Sequence, residues 1–361
     1  MAVAPASLND LELVNNETYA ADGYPHEAWA VLRREAPVYW YERDVKVPFW
    51  AITKHEDIRW ISRQPERMLN APRLAVFPEF APPEEDERVA RHLLNMDDPD
   101  HGSYRKLAAP QFTPRAVRRM AASVERIAVD LLDDLAGDGE EREMDFVTAL
   151  AAPLSLAVLA DLLGVPRSDW ELMFRWTNAI IGSNDPEYQI AGGPQQSAGE
   201  ARKALFEYFW AMAEERRRNP GEFEKLRRDA SLVDSAVEEI LRWTTPVIQF
   251  CRTATESFEL RGQKIRAGDS MCLFYPSANR DEDVFDDPFV FRVDRNPNRH
   301  LAFGIGEHFC LGANLARLEL RILFRLLAER LEHAELTGPM ERLASSFLGG
   351  VKHVPLRYRL V

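Results

Sequence analysis

Apolar side chains after Pro114 recur at Met120, Val124, Ile127, Leu131 and Leu135, and Gly137 ends the run. Steps of three and four residues line one face of a helix, so this stretch predicts a helix packed on a core. Phe146 to Gly164 is apolar nearly all round, the pattern of a helix buried on every side. Ser231 to Trp243 predicts another helix, ended by Pro246, and Leu311, Leu315, Leu318 and Ile322 mark a long final one. Strand patterns are shorter. PVYWYE (37–42) and FWAIT (49–53) are rich in aromatic and β-branched residues, and 258–275 alternates around Gly262 and Gly268 as a strand pair would. The reading is a mainly α chain with a small β region. No repeat or low-complexity linker divides it, so residues 1–361 are expected to form one domain.

Composition narrows the setting. The longest stretch without a charge, Phe146 to Ala160, has 15 residues and is interrupted by Pro153. A membrane-spanning helix needs roughly 20, so no stable membrane insertion is expected. The first residues show no basic region leading into an apolar run, which predicts no secretory signal and a cytoplasmic location. A net charge of −13 repels phosphate backbones, which argues against nucleic acid as a partner. Three cysteines, Cys251, Cys272 and Cys310, are too few for a disulfide framework and include no CxxC pair. On strand-like segments, Cys251 and Cys272 read as buried core residues.

Chemistry concentrates in HLAFGIGEHFCLGANLAR (300–317), where Gly304 and Gly306 precede Cys310 and a helix begins directly after it. Glycine allows positive φ and close approach of a flat ligand to the backbone. Free N–H groups and the positive end of the helix dipole favour a thiolate at that point. A thiolate in a glycine-lined loop suits the axial position of haem iron. Phe303-Gly-x-Gly-x-His-x-Cys310-x-Gly312 resembles the haem-binding signature of the cytochromes P450 at every defining position. The chain resembles bacterial soluble members, especially those that hydroxylate sterol side chains and terpenoids, in NMDDPDH (95–101), GSNDPEY (182–188), SANRDEDVFDDPF (277–289) and GGVKHVP (349–355).

The resemblance implies a P450 fold, haem b (iron protoporphyrin IX) ligated by Cys310, and binding by Phe303, Gly304 and Gly306 in the loop. His101, Arg105, Arg252 and His300 are implied as partners of the haem propionates, and His308 is not expected to ligate metal. Glu239 and Arg242 look like the family's ExxR pair, which i, i+3 spacing puts on one helix face. Arg295 completes the implied structural triad. Thr245, Val247, Ile248, Phe250, Phe347 and Leu348 are expected to line the substrate side. Arg115, Arg118, Arg119, Arg299, Arg317 and Arg321 are expected to receive a ferredoxin-type electron donor, served by its own reductase.

One departure from the family is large. The family's central distal helix carries an acid–Thr pair, and no such pair stands between Arg218 and the ExxR helix. Asn219 to Ala230 has only 12 residues, about 18 Å even if wholly helical, where a crossing helix needs about 45 Å. AGGPQQS (191–197) is broken by Pro194, and AGDS (267–270) falls in a strand turn. An internal deletion near 219–221 is therefore expected, with no catalytic residue identified on the distal side. The implied function is a monooxygenase acting on a small apolar substrate (sterol, terpenoid or fatty chain) with dioxygen and two electrons. The alternative is a haem-binding P450-like protein without that activity. A reactive-thiol enzyme lacking haem has no His–acid partner set beside Cys310 to support it.

Overall fold

The computed structural model of the chain describes residues 7–77, 93–137, 140–163 and 229–361. The expected deletion junction at 219–221 and the AGGPQQS segment lie outside the described residues, as does GSNDPEY.

Short helices α1 (Asn16–Ala21), α2 (His26–Glu35) and α3 (His55–Ser62) alternate with strands β1 (Val38–Tyr41), β2 (Phe49–Ile52) and β3 (Met68–Leu69). Helix α4 (Asp100–Ala108) leads to α5 (Pro114–Leu135), where Thr113 accepts the Ala116 N–H and Pro114 takes a first-turn position that needs no donor. The spacing read from the sequence is the packing observed, since Val124 and Ile127 are buried. Strand β4 (Arg142–Asp145) and a π-helical turn at Val147–Ala151 precede α6 (Ala152–Leu163). The first nine residues of α6 are mostly buried, as an all-round apolar pattern requires.

Helix α7 (Val233–Thr244) stops where Thr245 turns left-handed at φ 39°. Beyond it lie β5 (Gln249–Ala254), β6 (Phe258–Leu260), β7 (Gln263–Ile265), β8 (Ser270–Phe274) and the short α8 (Tyr275–Ala278). The strand pair expected over 258–275 divides. Strands β6 and β7 form a hairpin around Gly262, while β8 joins a five-stranded sheet ordered β1-β2-β8-β5-β3. Met271 to Phe274 are all buried, and such a strand must be covered on both faces. Helix α9 (Ala313–Arg330) follows the cysteine loop, and β9 (Leu331–Leu336), β10 (Glu341–Arg342), β11 (Val351–His353) and β12 (Pro355–Leu360) complete the described chain. Helices α5, α6, α7 and α9 share one apolar core, including Val124, Leu154, Ile240 and Leu323. No helix among the described residues is long and apolar enough to cross a membrane.

Candidate functional site

The cysteine loop is built by its own backbone. Gly304 N–H donates to the Leu301 carbonyl at 2.9 Å, and Cys310 N–H reaches back to the Phe303 carbonyl at 2.9 Å. Gly304 and Gly306 sit at φ 68° and 81°, the left-handed region. Gly306 has a second reason to be glycine: a Cβ there would lie 2.0 Å from the Ser62 carbonyl oxygen at the end of α3. The close approach anticipated for a flat ligand is, at this residue, an approach to the protein's own backbone.

Backbone N–H groups of Gly312 and Ala313 lie near the Cys310 sulfur and favour its charged form, while Ala313 N–H also donates to the Cys310 carbonyl at 3.4 Å. Burial nevertheless outweighs these donors and the charges of Arg105 and Arg317, and pushes the thiol above its usual value. This corrects the expectation of a thiolate favoured by the helix terminus alone. The loop offers sulfur and donors, and a bound cation is what deprotonates such a thiol outright.

Beneath the loop, Glu239 is wholly buried and accepts from Arg242 Nε and Nη2, each at 2.8 Å. Arg295 Nε straddles its two oxygens at 3.1 and 3.0 Å. Arg292 N–H and Asn298 Nδ2 donate to the same carboxylate. Arg242 continues to the Asn279 and Pro288 carbonyls, and Arg295 to those of Asp286 and Val290. One carboxylate thus ties α7 to the loop of 279–298. Asn279 Oδ1 then accepts the Leu301 N–H at 2.7 Å, which carries the support to the cysteine loop. Buried and multiply bonded, this cluster differs from the surface pairs that contribute little.

The expected propionate partners fall into two kinds. His101 is wholly buried with neither ring nitrogen hydrogen-bonded among the described residues, and it stacks on His308 at a centroid distance of 4.0 Å. Burial and the nearby Arg105 charge lower its pKa, so its ring is neutral. Arg105 donates to the Phe309 carbonyl and Arg252 to that of Cys251, each with further N–H groups to offer. His300 differs: Nδ1 accepts the Ala302 N–H and Nε2 donates to Glu238 at 3.1 Å. Arg317 grips the same Glu238 with two bonds. Burial raises the Glu238 pKa, but the Arg317 and His300 bonds overcome it and bring it to about 2. Both nitrogens of His300 are therefore engaged.

Four neighbours of His308, namely Asn70, Asp97, Asp98 and Glu307, were missed in the sequence. Burial and the Arg252 charge push His308 down to about 3, so it is neutral and its Nε2 accepts from Asn70 Nδ2 at 2.6 Å. Asp97 holds Asn70 through bonds of 2.7 and 3.0 Å. Glu307 is raised to about 7, first by burial and then by a hydrogen bond with Asp98. Ligand atoms of His101, Glu307 and His308 lie within 4.8 Å of one another, close enough to gather round a small cation. These contacts join residues 70, 97 and 308 through tertiary structure, with no local motif to announce them.

The expected substrate wall splits along the strand alternation. Val247, Phe250, Phe347 and Leu348 come together, with Val247 bridging Leu348 and the Phe250 and Phe347 rings 5.7 Å apart. Leu74, Ala75 and Phe77 complete this apolar patch and were not anticipated. Thr245 and Ile248 are placed elsewhere. Thr245 is fully buried, donates to the Arg242 carbonyl and accepts from Asn279, which makes it part of the α7 terminus. Ile248 points to the opposite face and packs in the core with Trp29 and Phe274.

Of the basic residues, Arg115, Arg118, Arg119 and Arg299 are exposed. Arg317 and Arg321 are held by Glu238 and by Asp234.

The donor set fits a haem: a sulfur flanked by backbone donors, a buried histidine with two unbonded nitrogens, and two arginines with N–H groups remaining. Residues 210–356 match the family model for cytochrome P450. The methyl-branched lipid omega-hydroxylase of Mycobacterium tuberculosis is 33% identical, with 97% of this chain and 95% of that protein covered. The steroid C26-monooxygenase of the same species is 34% identical over 94% of this chain and 90% of that one. A cytochrome P450 of Mycobacterium marinum solved with pseudoionone superposes with TM-score 0.86 at 28% identity, covering 99% of this chain and 100% of that one. Alignment to the omega-hydroxylase spans 415 positions against 361 residues here, so at least 54 positions of that relative have no counterpart. With a donor set suited to haem and relatives matched along nearly their whole length, the chain belongs to the cytochrome P450 family.

Proposed function

We propose that the protein is a haem-thiolate monooxygenase that hydroxylates a sterol, terpenoid or fatty chain, using dioxygen and two electrons from a ferredoxin-type donor with its reductase. The observation that carries this reading is the sulfur of Cys310, set in a glycine loop and faced by the Gly312 and Ala313 N–H groups. When bound, haem supplies the reductive activation of dioxygen that lets one oxygen atom enter a C–H bond. Cys310 holds the iron as thiolate, and its two N–H donors temper the charge on sulfur. Arg105, Arg252 and His101 orient the porphyrin through its carboxylates, with Arg giving forked bonds. His300 holds Glu238, which in turn holds Arg317, and so positions the Phe303 side of the loop, where Arg317 lies 4.7 Å over the Phe303 ring. The patch of Val247, Phe250, Phe347 and Leu348 excludes water and receives the apolar substrate by hydrophobic burial.

The unmatched 54 or more positions of the omega-hydroxylase favour a second reading, a haem-binding relative that has lost oxygen activation. Two measurements separate them. Reduced protein under carbon monoxide is expected to show the red-shifted Soret band of thiolate-ligated haem, and Cys310→Ala is expected to abolish it. Oxidation of a lipid or steroid with a competent electron supply supports the monooxygenase. A normal band with no product from any such substrate supports the second reading, and failure to take up haem overturns both.

A further inference from the structure

The structure brings together two cysteines that the sequence keeps apart. Cys251 on β5 and Cys272 on β8 face one another across an antiparallel pair, and both are fully buried. We propose that they are a redox pair that closes to a cross-strand disulfide when the protein meets a peroxide.

Register supports the linkage. Tyr275 N–H donates to Ile248 O and Ala254 N–H to Asp269 O, each at 3.0 Å, which marks 248 and 254 as hydrogen-bonded positions. Bonded and non-bonded pairs alternate along an antiparallel ladder, so 251 opposite 272 is a non-bonded pair. Cys251 N–H agrees, pointing away from β8 to the Leu74 carbonyl at 2.7 Å. Opposed residues of this kind have Cα atoms about 4.5 Å apart and their side chains at closest approach. A disulfide accepts Cα separations of roughly 4.4–6.8 Å, so the link forms without separating the strands.

Surroundings distinguish the two thiols. Arg73 and Arg252 are buried nearby, and neither has a carboxylate partner among the described residues. Among the described residues Arg73 donates to the Val47 and Pro48 carbonyls. Burial raises the Cys251 pKa, but the close contact with Cys272 and these two charges outweigh it and lower the thiol overall. Burial and the same contact raise Cys272 well above its usual value. Arg73 acts on both thiols, but Arg252 acts on Cys251 alone and adjoins it on β5, so Cys251 is assigned as the attacking sulfur and Cys272 as the resolving one.

The chemistry balances. Cys251 thiolate attacks one peroxide oxygen, the O–O bond breaks, and a sulfenic acid and one water result for hydrogen peroxide. Cys272 then displaces the hydroxyl as a second water, and the S–S bond forms. Two thiols are oxidised by two electrons and one peroxide is reduced. Closure also removes the S–H that Cys272 gives to Gln249 Oε1 at 3.2 Å. Gln249 clamps Val76 through both its N–H and its carbonyl, and the adjacent Phe77 packs on Phe347 of the apolar patch. Oxidation of a buried pair thus reaches the wall proposed for substrate.

The full-length protein, with whatever haem it carries, is incubated with hydrogen peroxide, alkylated in denaturant, digested and analysed by mass spectrometry. The expected product is one linked peptide pair, 251 with 272, that dithiothreitol reverses. Cys272→Ser is expected to leave a Cys251 sulfenic acid that dimedone traps, while Cys251→Ser leaves Cys272 unmodified. Recovery of both as free thiols, or as separate sulfinic acids with no link, overturns the proposal. Wild-type protein alone decides this outcome even where a variant fails to fold.

Discussion

Gly306 shows how much one hydrogen atom can decide. Its φ of 81° would strain an L side chain by about 1–2 kcal/mol. The larger obstacle is steric, since a Cβ 2.0 Å from the Ser62 carbonyl requires the loop or α3 to move. At Gly304 φ is 68° but the nearest atom to a Cβ is 3.9 Å away, so the strain stands alone. Gly306→Ala is therefore expected to cost more than about 3 kcal/mol and to shift the spectrum of bound haem, against about 1–2 kcal/mol for Gly304→Ala. Urea titration of both variants tests this ranking. Equal effects would mean that Ser62 yields and that conformation alone selects glycine.

Among the elements, α9 carries an internal conflict. Glu319 is buried in its apolar face, and neither carboxyl oxygen has a hydrogen-bond partner among the described residues. Burial raises its pKa well above the usual value, so the folded protein keeps it protonated. Glu319→Leu removes an unsatisfied polar group and is expected to stabilise the fold by about 1–3 kcal/mol. The pH dependence has a definite sign. Below the ordinary value of 4.5 the group is protonated in both states, and above it only the unfolded chain ionises, which favours unfolding. The gain from Glu319→Leu is thus larger at pH 7 than at pH 4, as urea midpoints at the two pH values can measure. Loss of stability in the variant would show that the carboxyl holds α9 in place.

Across the whole molecule, a net charge of −13 coexists with an exposed basic run on α5. Arg115, Arg118 and Arg119 begin that helix, and Arg299 lies just before the cysteine loop. The ferredoxin-type donor proposed above, if acidic, would gain in association rate more than in affinity by docking there. Arg118→Glu combined with Arg119→Glu is expected to slow electron transfer about tenfold at low salt, with the difference fading as ionic strength rises. Stopped-flow reduction across a salt series measures it. An unchanged rate at low salt would place the donor on another face.

Local and periodic features were legible in the chain itself. Helices α5 and α7 and the start of α9 follow from apolar spacing, and the haem loop from a run of contiguous residues, because neighbours in sequence set backbone conformation directly. Glu239 and Arg242 share a face for the same reason, whereas Arg295 was placed with them only by family likeness. Pairings between distant segments depended on the assembled fold: Cys251 against Cys272, Asn70 on His308, Leu74 and Phe77 beside Phe347, and His300 turned to Glu238. So did the thiol of Cys310, where burial by surrounding elements overcame the helix terminus that the local sequence advertised. Short-range geometry is written into the order of residues, while contacts and desolvation arise only when elements meet.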